Sequence, residues 1–261
     1  MLLAIDVGNT NIVLGIFREA RLVASWRIAT LRERTSDELG ILSTDLLEHG
    51  QIDRRRIRGV ILASVVPPLT QTVVAMCERY FGQNPMVVDG EVKTGMPVRY
   101  EPPADVGPDR IVNGVAAYEK YGRPSVRPVV VVDFGTATTF DAISVNGEYL
   151  GGVIAPGVQI SADALFQRAA RLPRVDVRKP PSVIGRTTVT SMQSGLFFGY
   201  VGLVEGIVAR MRSELGEGAA VVATGGLADV IAAETRVIEV VDRELTLNGL
   251  RIIWERNQWG L

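Results

Sequence analysis

Apolar and polar positions fall in blocks along the chain, and the first block ends with more polarity than a turn requires. Met1 to Ile5 is an unbroken apolar run that stops at Asp6-Val7-Gly8-Asn9-Thr10-Asn11, and apolar residues resume at Ile12. Short apolar runs bounded by turn residues predict strands, so LLAIDVGN, IVLGIFRE and RLVASWRIAT read as three strands joined by tight turns. TSDELGILSTDLLEHG then reads as a helix, with Ser36 or Asp37 as its cap and Leu39, Leu42, Leu46 and Leu47 on one face. RGVILASVV predicts a buried strand, LTQTVVAMCERYFG a helix and NPMVVDG a strand. The stretch TGMPVRYEPPADVGPDR is too polar and too rich in proline for an element interior. RIVNGVAAYEKYG predicts a helix, followed by the linker RPSVRP.

The opening pattern then returns. VVVVDFGTATTFDAIS at 129–144 lines up with LLAIDVGNTNIVLGIF at 2–17, setting Asp133 against Asp6 and Gly135 against Gly8. The offset, 133 − 6 = 127, is close to half of the 261 residues. Asn146-Gly147 supplies a hairpin turn after the second copy. Strand, DxG, polar turn and strand, occurring twice, predict a duplicated domain. Further on, TGG at 224–226 follows the strand-like AAVVA and precedes a helix. SMQSGLFFGYVGLVEGIVARMRSELG reads as one long helix with Gly195, Gly199, Gly202 and Gly206 on a thin face. Glycine weakens a helix interior, so close packing is the reason such a face offers, within the chain or against a second copy.

The DxG turns carry the candidate chemistry. Glycine lets backbone approach a ligand closely, while nearby amides and Thr or Asn side chains can point at phosphate oxygens. An aspartate would repel phosphate directly, but it can hold a hydrated Mg²⁺ or a monovalent cation that touches it. One such turn alone reads better as a hairpin turn whose Asp caps its own backbone. Two of them, half a chain apart, point to phosphate binding.

Composition narrows the alternatives. Hydrophobic residues at 47% and charged residues at 22% fit a globular chain. A net charge of −1 gives no sign of a nucleic-acid or anionic-membrane partner. No apolar stretch is expected to span a bilayer, and Asp6 interrupts the first run too early for a signal peptide, so the expectation is cytoplasmic. Cys77 and His49 are the only residues of their kinds, which excludes disulfides, His/Cys zinc sites and His-dependent triads within the chain. Cys77 sits at helical spacing with Val73, Val74, Tyr80 and Phe81 as a core residue, and His49 precedes Gly50 where an imidazole can meet the last helix carbonyls. There is no GxxxxGK[ST] loop and there are only three lysines, so phosphate charge must be met by arginines, amides and bound cations.

These turns resemble the phosphate-binding motifs of the acetate/sugar kinase, actin and heat-shock chaperone superfamily. More closely, the ordered set DVGNTNIVLG, GPDR, DFGTATTFD, LGGVIAPG, SMQSG and ATGGLA, covering nearly the whole chain, resembles type III pantothenate kinase. The resemblance implies an α/β fold of duplicated ribonuclease H-like domains of the actin/sugar kinase type. One would span 1–115, with the first phosphate motif and GPDR, and the other 116–261, with the second phosphate motif and TGG. It also implies a homodimer that transfers the ATP γ-phosphate to pantothenate, the first step of coenzyme A synthesis, using Mg²⁺ or a similar divalent ion and K⁺ or NH₄⁺. ATP would lie between the domains, its phosphates bracketed by the two turns. Carried over residue by residue, Asp6, Val7, Gly8, Asn9, Thr10, Asn11, Ile12, Val13 and Thr136 match ATP contacts, and Asp133 matches the monovalent-cation ligand. Tyr100, Gly107, Pro108, Asp109, Arg110 and Thr188 match the pantothenate site, with Asp109 as catalytic base and Thr188 reaching across the dimer.

From the residues alone, Asp109 reads equally as a cap for the helix beginning near Arg110. The TGG segment reads better as a plain strand-to-helix turn than as an adenosine seat. Pro108 stands where the family often has alanine, and Thr187-Thr188 where it usually has Asn-Thr. Two rivals are another small-molecule kinase of the superfamily and a non-catalytic regulator of the Bvg accessory factor type. The presence of Asp6, Asp109, Asp133 and Thr136 disfavours the regulator.

Overall fold

The structure, a computed structural model, describes residues 1–258. The chain forms two compact units: Met1–Ala116 with the chain from Glu244 onward, and Ala117–Arg243. In the first unit, strands β1 (Leu2–Val7), β2 (Asn11–Arg18) and β3 (Arg21–Ala29) lead to helix α1 (Ser36–His49). Strand β4 (Gly59–Ser64), helix α2 (Pro67–Met76), the two-residue strand β5 (Met86–Val87) and helix α3 (Pro108–Ala117) follow. The second unit holds strands β6 (Val129–Phe134), β7 (Ala137–Ile143) and β8 (Tyr149–Pro156), helices α4 (Val158–Arg168) and α5 (Thr188–Leu215), strand β9 (Ala220–Gly225), helix α6 (Ala228–Ala232) and strand β10 (Val240–Val241). Helix α7 (Leu245–Gln258) ends the described chain.

The two sheets have one topology. The first runs β3-β2-β1-β4-β5 and the second β8-β7-β6-β9-β10, each an antiparallel meander continued by parallel strands. Central strands flanked on both sides must be apolar throughout, which explains the continuous runs at Leu2–Ile5 and Val129–Val132. Leu3, Ile5 and Leu62 pack with Leu39, Leu47, Leu69 and Val73 from α1 and α2 in the first core. Val130, Val132, Phe140 and Val221 pack with Phe197, Val201, Val204 and Val208 of α5 in the second.

The 127-residue offset holds through Asp and Gly and then slips. Asp6 pairs with Val13 but Asp133 with Thr139, so the first turn is one residue longer than the second. An ungapped alignment of the two copies cannot show this.

The expected 116–261 domain needs correction at its end. The chain from Glu244 returns to the first unit, because α7 buries Leu245, Leu247, Leu250 and Ile253 there. Leu247 packs onto Gly15 of β2 and Trp254 onto Gly59 of β4, where a Cβ would stand 2.8 Å and 2.2 Å from the packed side chains. Each fully buried leucine or isoleucine contributes about 1.5–3 kcal/mol, enough to bring a terminal helix home.

Local chemistry also departs from expectation at three places. The α1 cap is Thr35, whose side chain accepts from the Glu38 amide at 3.2 Å while the Glu38 carboxylate accepts from the Thr35 amide at 2.7 Å. This reciprocal pair is worth about 1 kcal/mol and outcompetes Ser36 and Asp37. At the other end of α1, the amides of Gly50, Gln51 and Ile52 take the last carbonyls, and His49 is exposed. Helix α5 is long and apolar enough to cross a membrane by length and composition, against the expectation that no stretch would be. Its Phe197, Val204 and Val208 side is nevertheless packed into the core of the second unit. Cys77 is buried as expected, and burial pushes its thiol pKa up to about 12.

Candidate active site

The first polar turn joins β1 to β2 at Gly8-Asn9-Thr10. Its closing bond runs from the Gly8 amide to the Asn11 carbonyl at 2.9 Å. Thr30, just beyond β3, braces it: Thr30 Oγ1 donates to the Gly8 carbonyl at 2.7 Å and the Thr30 amide to the Thr10 carbonyl at 2.9 Å. No periodicity singles out Thr30, since its role depends on a strand pairing 20 residues away in sequence from Thr10. Asp6 is half-buried at the end of β1, Val7 and Ile12 are in the core, Asn9 and Thr10 are exposed, and Asn11 and Val13 are half-buried. Polar turn residues thus sit outside while their apolar neighbours anchor the strands.

The second turn joins β6 to β7 at Gly135-Thr136, closed by the Gly135 amide on the Ala137 carbonyl at 3.0 Å. Asp133 is half-buried and Thr136 exposed. The TGG segment enters here in an unexpected way. Asp133 lies opposite Thr224 of β9, and a Cβ on Gly225 would stand 2.6 Å from Asp133 Oδ1 and 2.6 Å from the Phe134 amide nitrogen. Gly225 also has a φ of +93°, a conformation that side chains resist. Gly225 therefore makes room for the Asp133 carboxylate and the β6 backbone. Gly226, by contrast, has nothing within 4 Å and is the glycine open to a ligand.

GPDR forms the start of α3 in the first unit. Pro108 is its first residue, a position where the missing N–H costs nothing and the fixed φ helps, so this departure from the family pattern is benign. Asp109 Oδ1 accepts from the Arg110 amide at 2.9 Å. Burial raises the Asp109 pKa above its ordinary 3.8, outweighing the opposing pull of the Arg110 amide and guanidinium. Arg110 is buried at 8% exposure, and Tyr100 is half-buried in the irregular stretch before α3. A carboxylate with a raised pKa, next to a buried guanidinium at a helix start, can both accept a proton and face an anion.

Thr188 belongs to the second unit. It is the first residue of α5 and exposed, on the wall of a cavity of about 570 Å³ shared with Leu172, Arg186, Thr187, Ser191 and Met192. Thr187 caps α5, accepting from the Thr190 amide at 3.1 Å. The Thr187 departure thus keeps a capping function that asparagine also serves. Along α5, Cβ atoms built on Gly195, Gly199 and Gly202 would meet nothing within 4 Å, so close packing among the described residues does not explain these glycines. Among the described residues, no group of three or more His, Cys, Asp or Glu is placed to hold a metal ion.

Comparison with known proteins bears directly on these features. The family model for type III pantothenate kinase matches residues 2–210. The curated type III pantothenate kinase of Myxococcus xanthus is 58% identical over 98% of this chain and 99% of its own length, and that of Moorella thermoacetica is 57% identical over 98% and 100%. Koribacter versatilis has one that is 56% identical over 99% of this chain and 96% of its own length. Among solved structures, a Campylobacter jejuni protein assigned to the Baf family of transcriptional activators aligns with a TM-score of 0.61 at 20% identity, covering 98% of both chains. The inorganic polyphosphate/ATP-glucomannokinase of an Arthrobacter species aligns with a TM-score of 0.52 at 14% identity, covering 100% of this chain and 99% of its own. Those two likenesses support the fold, a pair of α/β units of the sugar-kinase type. Identity above one half along nearly the full length, together with a family model spanning both DxG turns, GPDR and Thr188, establishes that the chain belongs to the type III pantothenate kinase family.

Proposed function

We propose that this chain catalyses ATP-dependent phosphorylation of pantothenate, the opening step of coenzyme A synthesis, with Asp109 as the general base. The carrying observation is the full-length family match combined with a carboxylate of raised pKa tethered beside Arg110 at the start of α3. The turns at Asp6–Val13 and Asp133–Thr136 offer amides, hydroxyls and side-chain amides to ATP phosphate oxygens. Gly226 offers an open backbone to the nucleotide. Arg110 and the α3 N-terminus face the pantothenate carboxylate, with Tyr100 beside them and the Thr188 of a second copy of the chain reaching the substrate.

In the reaction, the pantothenate primary hydroxyl gives its proton to Asp109 as its oxygen bonds to the γ-phosphorus. The bond from that phosphorus to the β–γ bridging oxygen breaks, and ADP leaves. Phosphoryl transfer needs little covalent help from protein, so positioning and charge neutralisation supply most of the rate. A divalent ion brought by the phosphates would be held through its water shell by Asp6 or Asp133 and would neutralise phosphate charge. Asp133 is the side chain we assign to a K⁺ or NH₄⁺ ion, supported by its half-buried carboxylate and by the chain having only three lysines.

We further assign the working state as a cytoplasmic homodimer. Glycine in a helix interior costs roughly 1 kcal/mol relative to alanine. The open stripe at Gly195, Gly199 and Gly202 carries that cost with no packing gain among the described residues, which supports a second copy as its partner. The reaction is tested by measuring ADP release with a panel of acceptors in potassium buffer. Release that depends on pantothenate, and not on glucose or other sugars, is the expected result. Release that follows a sugar instead would replace this reading with a sugar kinase.

A further inference from the structure

Asp109 occupies its place by a route that helix starts seldom use. The cap position of α3 is held by Gly107, whose carbonyl accepts from the amides of Arg110 at 3.1 Å and Ile111 at 3.4 Å. A Ser, Thr, Asn or Asp at a cap would bond one of the early amides through its side chain. Gly107 has no side chain, and Asp109 leans back to add a side-chain acceptor beside the Gly107 carbonyl, its Oδ1 sharing the Arg110 amide at 2.9 Å. That oxygen fills the volume that a residue 107 side chain would need. A Cβ built on Gly107 would lie 2.5 Å from Asp109 Oδ1, whereas the next atoms, Asp109 Cγ and Val65 Cγ1, are both at an ordinary 3.7 Å. Gly107 is not among the glycines with positive φ, so the backbone itself does not require glycine there. Only the carboxylate does.

We propose that Gly107 is a positioning residue, whose missing side chain seats the Asp109 carboxylate over the start of α3 in the orientation that serves phosphoryl transfer. The inference rests on Asp109 being the base and adds what holds it. An alanine at 107 leaves the helix and the turn unobstructed but swings the carboxylate aside and takes it from the Arg110 amide. Losing that donor should raise the pKa of the base.

The test uses the full-length enzyme and three variants, Gly107→Ala, Asp109→Asn and Asp109→Ala. With Gly107→Ala, kcat should fall about 10–100-fold, as expected for a reacting group displaced by about an ångström. The acid limb of its pH–rate profile should move to higher pH, because the ionised carboxylate loses a hydrogen-bond donor. A wild-type kcat and profile for Gly107→Ala, beside an inactive Asp109→Asn, would overturn the seat and leave the base intact. An active Asp109→Asn would overturn both. Should Gly107→Ala be too unstable to assay, thermal midpoints close a double-mutant cycle. The alanine should be destabilising when Asp109 is present and close to neutral on the Asp109→Ala background. An equal loss on both backgrounds would show that residue 107 answers to the backbone and not to the carboxylate.

Discussion

The two units carry the same sheet and the same DxG turn, but the glycine of that turn does different work in each. A Cβ on Gly8 would stand 3.1 Å from the Asn11 carbonyl, so the first turn needs glycine for its own closure. On Gly135 the nearest atoms, the Ala137 carbonyl and Asp133 Oδ1, lie at 3.5 Å and 3.7 Å, which is ordinary contact. The bare backbone at Gly135 is therefore available for approach by a ligand. Deeper in the sheets the copies diverge further. Gly15 of β2 lies under Leu247, whereas the matching position in β7 is Asp141, fully buried and accepting from the Tyr149 hydroxyl at 2.7 Å. The duplicated backbone has been retained while its side chains were assigned separate tasks. In the proposed reaction, the first unit supplies the base and the second supplies the cation ligand.

The comparison breaks most sharply at Asp109. Asp109→Asn keeps the shape of the side chain and removes the proton acceptor, so turnover should fall about 10²–10⁴-fold. Stability should move the other way. Because burial raises this pKa, the folded state binds the proton more tightly than the unfolded chain, and ionisation costs stability as pH rises from about 3.8 through the raised value. At pH 7 the asparagine variant should melt no lower than the wild type, and any advantage should vanish on acidification through that window. Thermal melts across pH check this; a variant clearly less stable at pH 7 would show that the ionised carboxylate stabilises the fold, against the cost of burying it.

On the side of the second unit, replacing potassium or ammonium by sodium should remove most of the activity. Sodium is smaller and holds its water more tightly, so it should fit a potassium-sized cage poorly. Equal rates in the three chloride salts would leave Asp133 without its assigned ion.

Mixing inactive Asp109→Asn protein with an inactive Thr188 variant tests whether one pocket draws on two copies. Random exchange places half of the chains in mixed dimers with one intact pocket each, so about a quarter of wild-type activity should return. Exchange confirmed by mass spectrometry with no recovery would assign each pocket to one chain.

The smallest effects separate the two turn glycines. Gly135→Ala should raise the KM for ATP several-fold with little change in thermal midpoint. Gly8→Ala should also lower the midpoint, reflecting a loss of roughly 1–3 kcal/mol of stability, typical of forcing an extra carbon into a packed site. If the two variants behave alike, the distinction drawn from their contacts fails.

Much of the fold could be read from the chain because it depends on local alternation. The runs at Leu2–Val7 and Val129–Phe134, the hairpins after them and the long α5 follow from periodicity and turn residues. What escaped reading depends on contacts distant in sequence. The return of α7 to the first sheet rests on Leu247 and Trp254 meeting glycines about 200 residues earlier. Thr30 braces a turn from the end of another strand, and Gly225 yields space to a carboxylate on a neighbouring strand. GPDR was legible as a helix start with an acid and an arginine. That Gly107 leaves the capping to Asp109 required the side-chain geometry.

The most direct test of the division of labour is a potassium titration of pantothenate-dependent ADP release, run in parallel on Asp109→Asn and Asp133→Asn. Asp109→Asn should stay inactive at every potassium concentration while still binding ATP. Asp133→Asn should retain measurable turnover and lose its preference for potassium over sodium. Two variants that respond to potassium in the same way, whether both active or both silent, would contradict the assignment of base and cation ligand to different units.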